Sequence, residues 1–252
     1  VTLLEIEGLS KSFGGVRAVS DVSFTIDQGE LIGVMGPNGS GKTTLFNLIT
    51  GALAPDAGST RLHGRDITGW APHRVCAAGI ARTFQLVRPF AGLSALDNVL
   101  VGRLYGRAHQ SRRGAADEAH RLLTLVGLEG KAERPASALT LMDRKRLELA
   151  RALATEPHLL LLDELMAGLN PTETETAMVL IRRLQREGVT ILMVEHIVWA
   201  LMELAGRIVV LSAGEKIAEG PPATIAADPT VIDVYLGGAR THPGGAASGA
   251  RV

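Results

Sequence analysis

Gly36-Pro37-Asn38-Gly39-Ser40-Gly41-Lys42-Thr43-Thr44 stands between a short apolar run, Leu31-Ile32-Gly33-Val34-Met35, and a segment at 42–50 that reads as a helix. No other feature constrains the chain as much. The pattern is G-x-x-x-x-G-K-[ST] in a strand–loop–helix setting. Its glycines let the backbone curl so that successive N–H groups point inward. The start of the following helix adds positive potential. Together they make a cradle for phosphate. Lys42 is placed to reach β- and γ-phosphates, and the Thr43 hydroxyl to ligate Mg²⁺. Asn38, Gly39, Ser40, Gly41 and Thr44 complete the candidate contacts to a nucleotide such as ATP.

A cradle of this kind needs a carboxylate to organise the metal. Leu159-Leu160-Leu161-Leu162-Asp163-Glu164 supplies one: a buried-strand run ends in two acids. Open α/β sheets bind ligands at that edge. Asp163 is expected to hold Mg²⁺ and Glu164 to polarise the attacking water. Around these motifs, residues 4–6 and 22–26 alternate like half-buried strands, and 61–67 reads as one more short strand. Residues 189–194 form another buried run, and 115–126, 139–154 and 172–187 have helical patterns. Residues 207–211 and 216–219 flank Ala213-Gly214, a hairpin signal. Alternating strands and helices predict a parallel α/β sheet. Residues from about 86 to 157 carry little strand signal and read as a helical insertion, and the Gly- and Ala-rich stretch 238–252 as a disordered tail.

Composition narrows the partners. Apolar residues make up 46% of 252, enough for a sizeable core, and 26 basic residues balance 26 acidic ones, so no basic excess points to nucleic acid. A single cysteine, Cys76, rules out an internal disulfide and reads as a small apolar residue. No leader peptide is evident, and no run approaches the ~18 apolar residues of a membrane span. The longest candidate, 191–205, is broken by Glu195, His196 and Glu203. Membrane association is therefore expected only through a partner.

Five further segments select among the nucleotide hydrolases that share these two motifs. They are Lys11-Ser12-Phe13-Gly14-Gly15, Ala81-Arg82-Thr83-Phe84-Gln85, the run 144–153, Ala167-Gly168-Leu169-Asn170 and Val194-Glu195-His196. In that order the chain resembles an ABC ATPase over residues 1–237. The resemblance implies a P-loop fold with a RecA-like core, an N-terminal antiparallel β subdomain and a helical subdomain at about 86–157. It implies that Phe13 stacks on adenine, that Gln85 senses Mg²⁺ and the γ-phosphate, that Asn170 sits in a loop crossing to a partner, and that His196 is the switch histidine. Residues 81–85, 167–173 and 194–196, with Asp228-Pro229, Val231-Ile232 and Tyr235-Leu236-Gly237, look most like ATPases of branched-chain amino acid uptake systems. Urea and short-chain amide importers look similar.

Such a subunit works at the cytoplasmic face of the membrane. It pairs with a second ATPase, preferably a different chain, although a homodimer is also compatible. Two permeases and, indirectly, an external solute-binding protein complete the assembly. One departure stands out. Where the family signature reads close to L-S-G-G-Q, this chain has Leu139-Thr140-Leu141-Met142-Asp143. Thr140 keeps the hydroxyl, Met142 replaces a glycine that lets backbone approach phosphate, and Asp143 repels phosphate unless turned away. Unequal nucleotide sites are expected. A non-transport ABC ATPase and a nucleotide-binding regulator are the alternatives; a single cassette without a heptad run weighs against the first, Glu164 and His196 against the second.

Overall fold

The computed structural model describes residues 1–84, 87–107 and 112–236. Two long strands, β1 (Thr2–Phe13) and β2 (Val16–Asp27), lead into β3 (Leu31–Met35), the glycine-rich loop and α1 (Lys42–Ile49). Next come β4 (Ala57–Leu62), β5 (Arg65–Asp66), α2 (Pro72–Ala78) and β6 (Ile80–Arg82). Three helices follow: α3 (Ala95–Tyr105), α4 (Arg112–Leu125) and α5 (Leu141–Ala154). The chain then alternates through β7 (Leu159–Asp163), α6 (Pro171–Arg186), β8 (Thr190–Val194) and α7 (Val198–Leu204). The hairpin β9 (Arg207–Ser212) and β10 (Glu215–Gly220) precedes α8 (Pro222–Ala227) and α9 (Pro229–Leu236).

The strands form two sheets. The antiparallel one runs β2-β1-β4-β5, the other β10-β9-β3-β8-β7-β6. The second is parallel from β9 to β6, with β10 antiparallel at its edge. Its central strands β3, β7 and β8 are buried at every position and mostly apolar, because both faces are covered. In β7, Leu159 and Leu161 face the side that holds α1 and the first sheet, while Leu160 and Leu162 face α3 to α7. All four are fully buried, each contributing about 1.5–3 kcal/mol. From Leu4 in β1 and from Val22 in β2 one face is buried: Leu4, Ile6, Val22, Phe24 and Ile26 point inward and alternate with polar residues. In α4, Ala115, Ala119, Leu122 and Leu123 make a single buried stripe, as the helical spacing predicts.

One expectation is corrected in detail. Residues 61–67 are not one strand: His63 (φ 50°) and Gly64 (φ 72°) turn the chain, and β4 folds back on β5. Two successive left-handed residues are what a tight hairpin turn demands. Among the described residues no helix is long and apolar enough to cross a membrane.

Candidate active site

The strand order sets β3, β8 and β7 side by side, so their C-terminal ends deliver the glycine-rich loop, His196 and the Asp163-Glu164 pair to one edge. A Cβ on Gly36 would lie 2.1 Å from the carbonyl of Leu211, and one on Gly41 (φ 102°) 2.2 Å from that of Ala18. Only glycine allows the loop to curl so tightly. Gly41 is the N-cap of α1, and no side chain caps that helix. Its first turn is left open to an anion. The Lys42 ammonium folds back onto the loop, donating to the carbonyls of Gly36 (2.7 Å) and Pro37 (2.9 Å). Burial holds its pKa below the ordinary lysine value, against the pull of Glu164 and Asp163. A phosphate offers that ammonium a charged acceptor in place of neutral ones.

Glu164 has a left-handed backbone, φ 51°, a conformation that costs a non-glycine residue about 1–3 kcal/mol. Its N–H donates to the carbonyl of Val194 at 2.9 Å. So aimed, its carboxylate Oε1 lies 2.5 Å from Nε2 of the half-exposed His196. Both line a cavity of ≈ 450 Å³ with Asn38, Gly39, Ser40, Gly41, Lys42, Thr43 and Thr44. Asp163 is buried, with Oδ2 2.5 Å from Arg82. The same guanidinium donates to Asn47 of α1 at 2.6 Å. Asp163 and Thr43 share an adjoining cavity of ≈ 380 Å³. A hydroxyl and a carboxylate at the lip of a phosphate cradle suit Mg²⁺, which prefers few protein oxygens together with water and phosphate oxygens.

Not every residue read from the sequence meets there. Phe13 closes β1 with its ring 47% exposed and is not among the residues lining the nucleotide-sized cavity. Gln85 lies outside the described residues. Asn170 caps α6: it accepts from the N–H of Glu173, whose carboxylate accepts from the Asn170 N–H, both at 3.0 Å. Thr140 caps α5, accepting from the N–H of Asp143 at 3.2 Å. The Asp143 carboxylate is turned away into the protein, 2.5 Å from Lys131. Burial would raise its pKa, but the hydrogen bonds from Lys131 and Thr140 together hold it below the ordinary value. Met142 lines a cleft of ≈ 240 Å³ with Leu165, Leu169 and Val179.

Three residues carry structure that sequence reasoning gave no role. Arg82 neutralises Asp163. Lys145 and Glu195, both buried, hold the turn after Glu164. Among the described residues the remaining Oε2 of Glu195 has no hydrogen-bond partner, and burial pushes this carboxyl up to about 7. Arg82 and Glu195 stand inside recognisable motifs, so their neighbourhood was a signal. Lys145 sits among other charged residues with nothing in the pattern to single it out.

The geometry has relatives. The family model described as ABC transporter matches residues 19–167, and that described as branched-chain amino acid ATP-binding cassette transporter matches 215–241. The high-affinity branched-chain amino acid transport ATP-binding protein BraF of Pseudomonas aeruginosa is 39% identical over 249 residues, covering 93% of this chain and 98% of that protein. The corresponding LivG protein of Escherichia coli is 38% identical over the same shares. Among solved structures, a nucleotide-free ATP-binding cassette from an ABC transporter superposes with a TM-score of 0.84 at 29% identity, covering 93% of this chain and 99% of that one. An ABC transporter cassette in its ADP conformation gives 0.84 at 30% identity, with 94% and 99% covered. With its RecA-like core, N-terminal β subdomain and helical subdomain, the chain belongs to the ATP-hydrolysing subunits of ABC transporters and is closely related to the branched-chain amino acid uptake ATPases.

Proposed function

We propose that this subunit powers an importer of branched-chain amino acids or similar small polar solutes. ATP lies with its phosphates in the loop 36–44 and Lys42 on the β- and γ-oxygens. Thr43 and Asp163 would hold Mg²⁺, and Gln85 would sense it; a bound ion would supply charge neutralisation at the phosphate oxygens. Glu164 is the general base. As water attacks the γ-phosphorus, its proton passes to the Glu164 carboxylate, and ADP departs with the electron pair of the broken P–O bond. His196 orients Glu164 and faces the γ-phosphate, and Phe13 stacks on the adenine. The observation that carries this reading is the Glu164–His196 contact at 2.5 Å in the cavity that also holds Lys42.

The second half of the site comes from another ATPase subunit, whose signature segment covers the phosphates. This chain's Thr140, Met142 and Asp143 serve the other site. The helical subdomain, about 86–157, docks on a permease at the cytoplasmic face of the membrane. Phe84, Phe90 and Tyr105 are exposed around one groove of ≈ 400 Å³, and exposed apolar patches mark partner surfaces. Phe90→Asp should weaken permease association while ATP binding persists. The solute reading is supported by the names of relatives matched over nearly their whole length and by the match at 215–241. Uptake of labelled leucine, isoleucine and valine by the transporter in proteoliposomes, with urea and acetamide as competitors, tests it. Uptake blocked by urea but not by valine would reject the amino-acid reading.

A further inference from the structure

The turn between β7 and α6 is held from two sides by buried charged side chains. Lys145, in the second turn of α5, donates to the carbonyls of Leu165 (2.7 Å), Ala167 (2.6 Å) and Glu164 (3.3 Å). An ammonium has three protons, and three carbonyls of one turn take them. From the end of β8 Glu195, next to His196, accepts the Met166 N–H at 2.9 Å. The first residue of this turn is Glu164, whose strained φ of 51° needs support from its surroundings. Lys145 belongs to the helix that starts at the signature segment, and it reaches the turn along the open apolar cleft between α5 and α6, which it lines with Met142 and Leu165.

We infer that Lys145 is a positioning residue. It ties the backbone of Glu164 to the signature helix, so that Glu164 keeps its reactive orientation only while α5 is seated against the turn. A subunit whose α5 swings away holds ATP with a misaimed base. The inference rests on the reading of Glu164 as general base.

The test is Lys145→Met in the full-length chain and in the assembled transporter. Misplacing a reacting group by about 1 Å can cost ~10²-fold, so kcat should fall roughly 10- to 100-fold. Affinity for a fluorescent ATP analogue should hold within about twofold, because Lys145 touches no phosphate-loop residue. Lys145→Arg keeps a cation with several donors and should recover most of kcat. Amide exchange should quicken across 164–167 and stay unchanged in β1 and β2. In a Glu164→Gln background, Lys145→Met should cost nothing further, since it acts through the base it no longer has. Unchanged kcat, an equal loss in both backgrounds, or a rise in KM alone would each overturn the inference. If Lys145→Met does not fold, Lys145→Gln, which keeps two donors, is judged on the same split of kcat from KM. Wild-type turnover in Glu164→Gln alone would instead remove the general-base reading; a dead Glu164→Gln beside an active Lys145→Met removes only this proposal.

Discussion

Two helices of this subunit begin at segments that the family uses to grip phosphate, and their N-termini are built in opposite ways. The start of α1 has glycine at its cap, no side-chain cap and no acid in its first turn. The start of α5 is closed by its own residues: Thr140 caps it, and Asp143 lies in its first turn, paired with Lys131. An uncapped helix start offers its N–H groups and its positive potential to an anion, whereas a capped one with a carboxylate in its first turn has spent both on itself. The comparison separates a helix start left open to an anion from one that is a well-finished helix end. It also relocates the cost of the unusual signature. Charge repulsion from Asp143, expected from the sequence alone, is relieved by Lys131; the bulk of Met142 and the closed cap remain.

The largest effect that sharpens this contrast is in hydrolysis. Glu164→Gln should slow turnover of the assembled transporter by at least ~10²-fold, while the matching change in the partner ATPase, whose site uses Thr140 and Met142, should cost less. Equal losses from the two single variants would break the comparison, provided the subunits do not fire in strict alternation. Next in size, Lys42→Ala should weaken ATP binding by roughly 10- to 100-fold, the range of one charge-assisted hydrogen bond, read by fluorescent-nucleotide titration. Unaltered affinity would mean the open end of α1 binds phosphate without its lysine.

The third prediction asks whether the two regions are energetically separate. Burial pushes two carboxyls up to about 7: Glu148 on α5 and Glu195 beside His196. Between the ordinary glutamate value of 4.5 and about 7 the folded chain binds more protons than the unfolded one. Stability therefore falls as pH rises through that window and levels off above it, by about 3 kcal/mol per group. Denaturant midpoints across the window should show the slope, and Glu148→Gln and Glu195→Gln should each remove part of it. A flat wild-type profile would contradict both. The smallest effects separate the two oddities of the signature. Asp143→Asn should lower the unfolding free energy by about 1 kcal/mol, weakening the pairing with Lys131, without speeding turnover. Met142→Gly should raise turnover of the weaker site a few-fold. The reverse pattern would restore Asp143 as the obstacle.

The contrast also marks what a sequence discloses. The glycine-rich loop and the leucine run ending in Asp163-Glu164 were legible because strand, loop and reactive group are contiguous, and their chemistry needs fixed residue types. The buried stripe of α4 was legible because a helix repeats its face. By contrast, α2 was missed: seven residues with one buried apolar side chain, Val75, leave almost no period to read. The turn at His63-Gly64 was missed because a histidine at positive φ is uncommon. The roles of Lys145 and Arg82 were hidden for another reason. What they do depends on carbonyls and carboxylates 20 and 81 residues away, and a lysine that saturates a turn is spelled like one that waves in solvent. The pairing of the buried Asp143 with Lys131 escaped notice in the same way.

The left-handed backbone at Glu164 reaches beyond catalysis into how lineages of such subunits can diverge. Glycine adopts that conformation without strain, and asparagine and aspartate tolerate it better than glutamate does. A chain freed from the duty of hydrolysis would gain stability by abandoning glutamate there, so relaxed selection and thermodynamics push position 164 in the same direction. Where glutamate persists against that bias, the site is under continuing selection to turn ATP over. A chain that had drifted to glycine or asparagine at this position would have become a sturdier protein and a silent one.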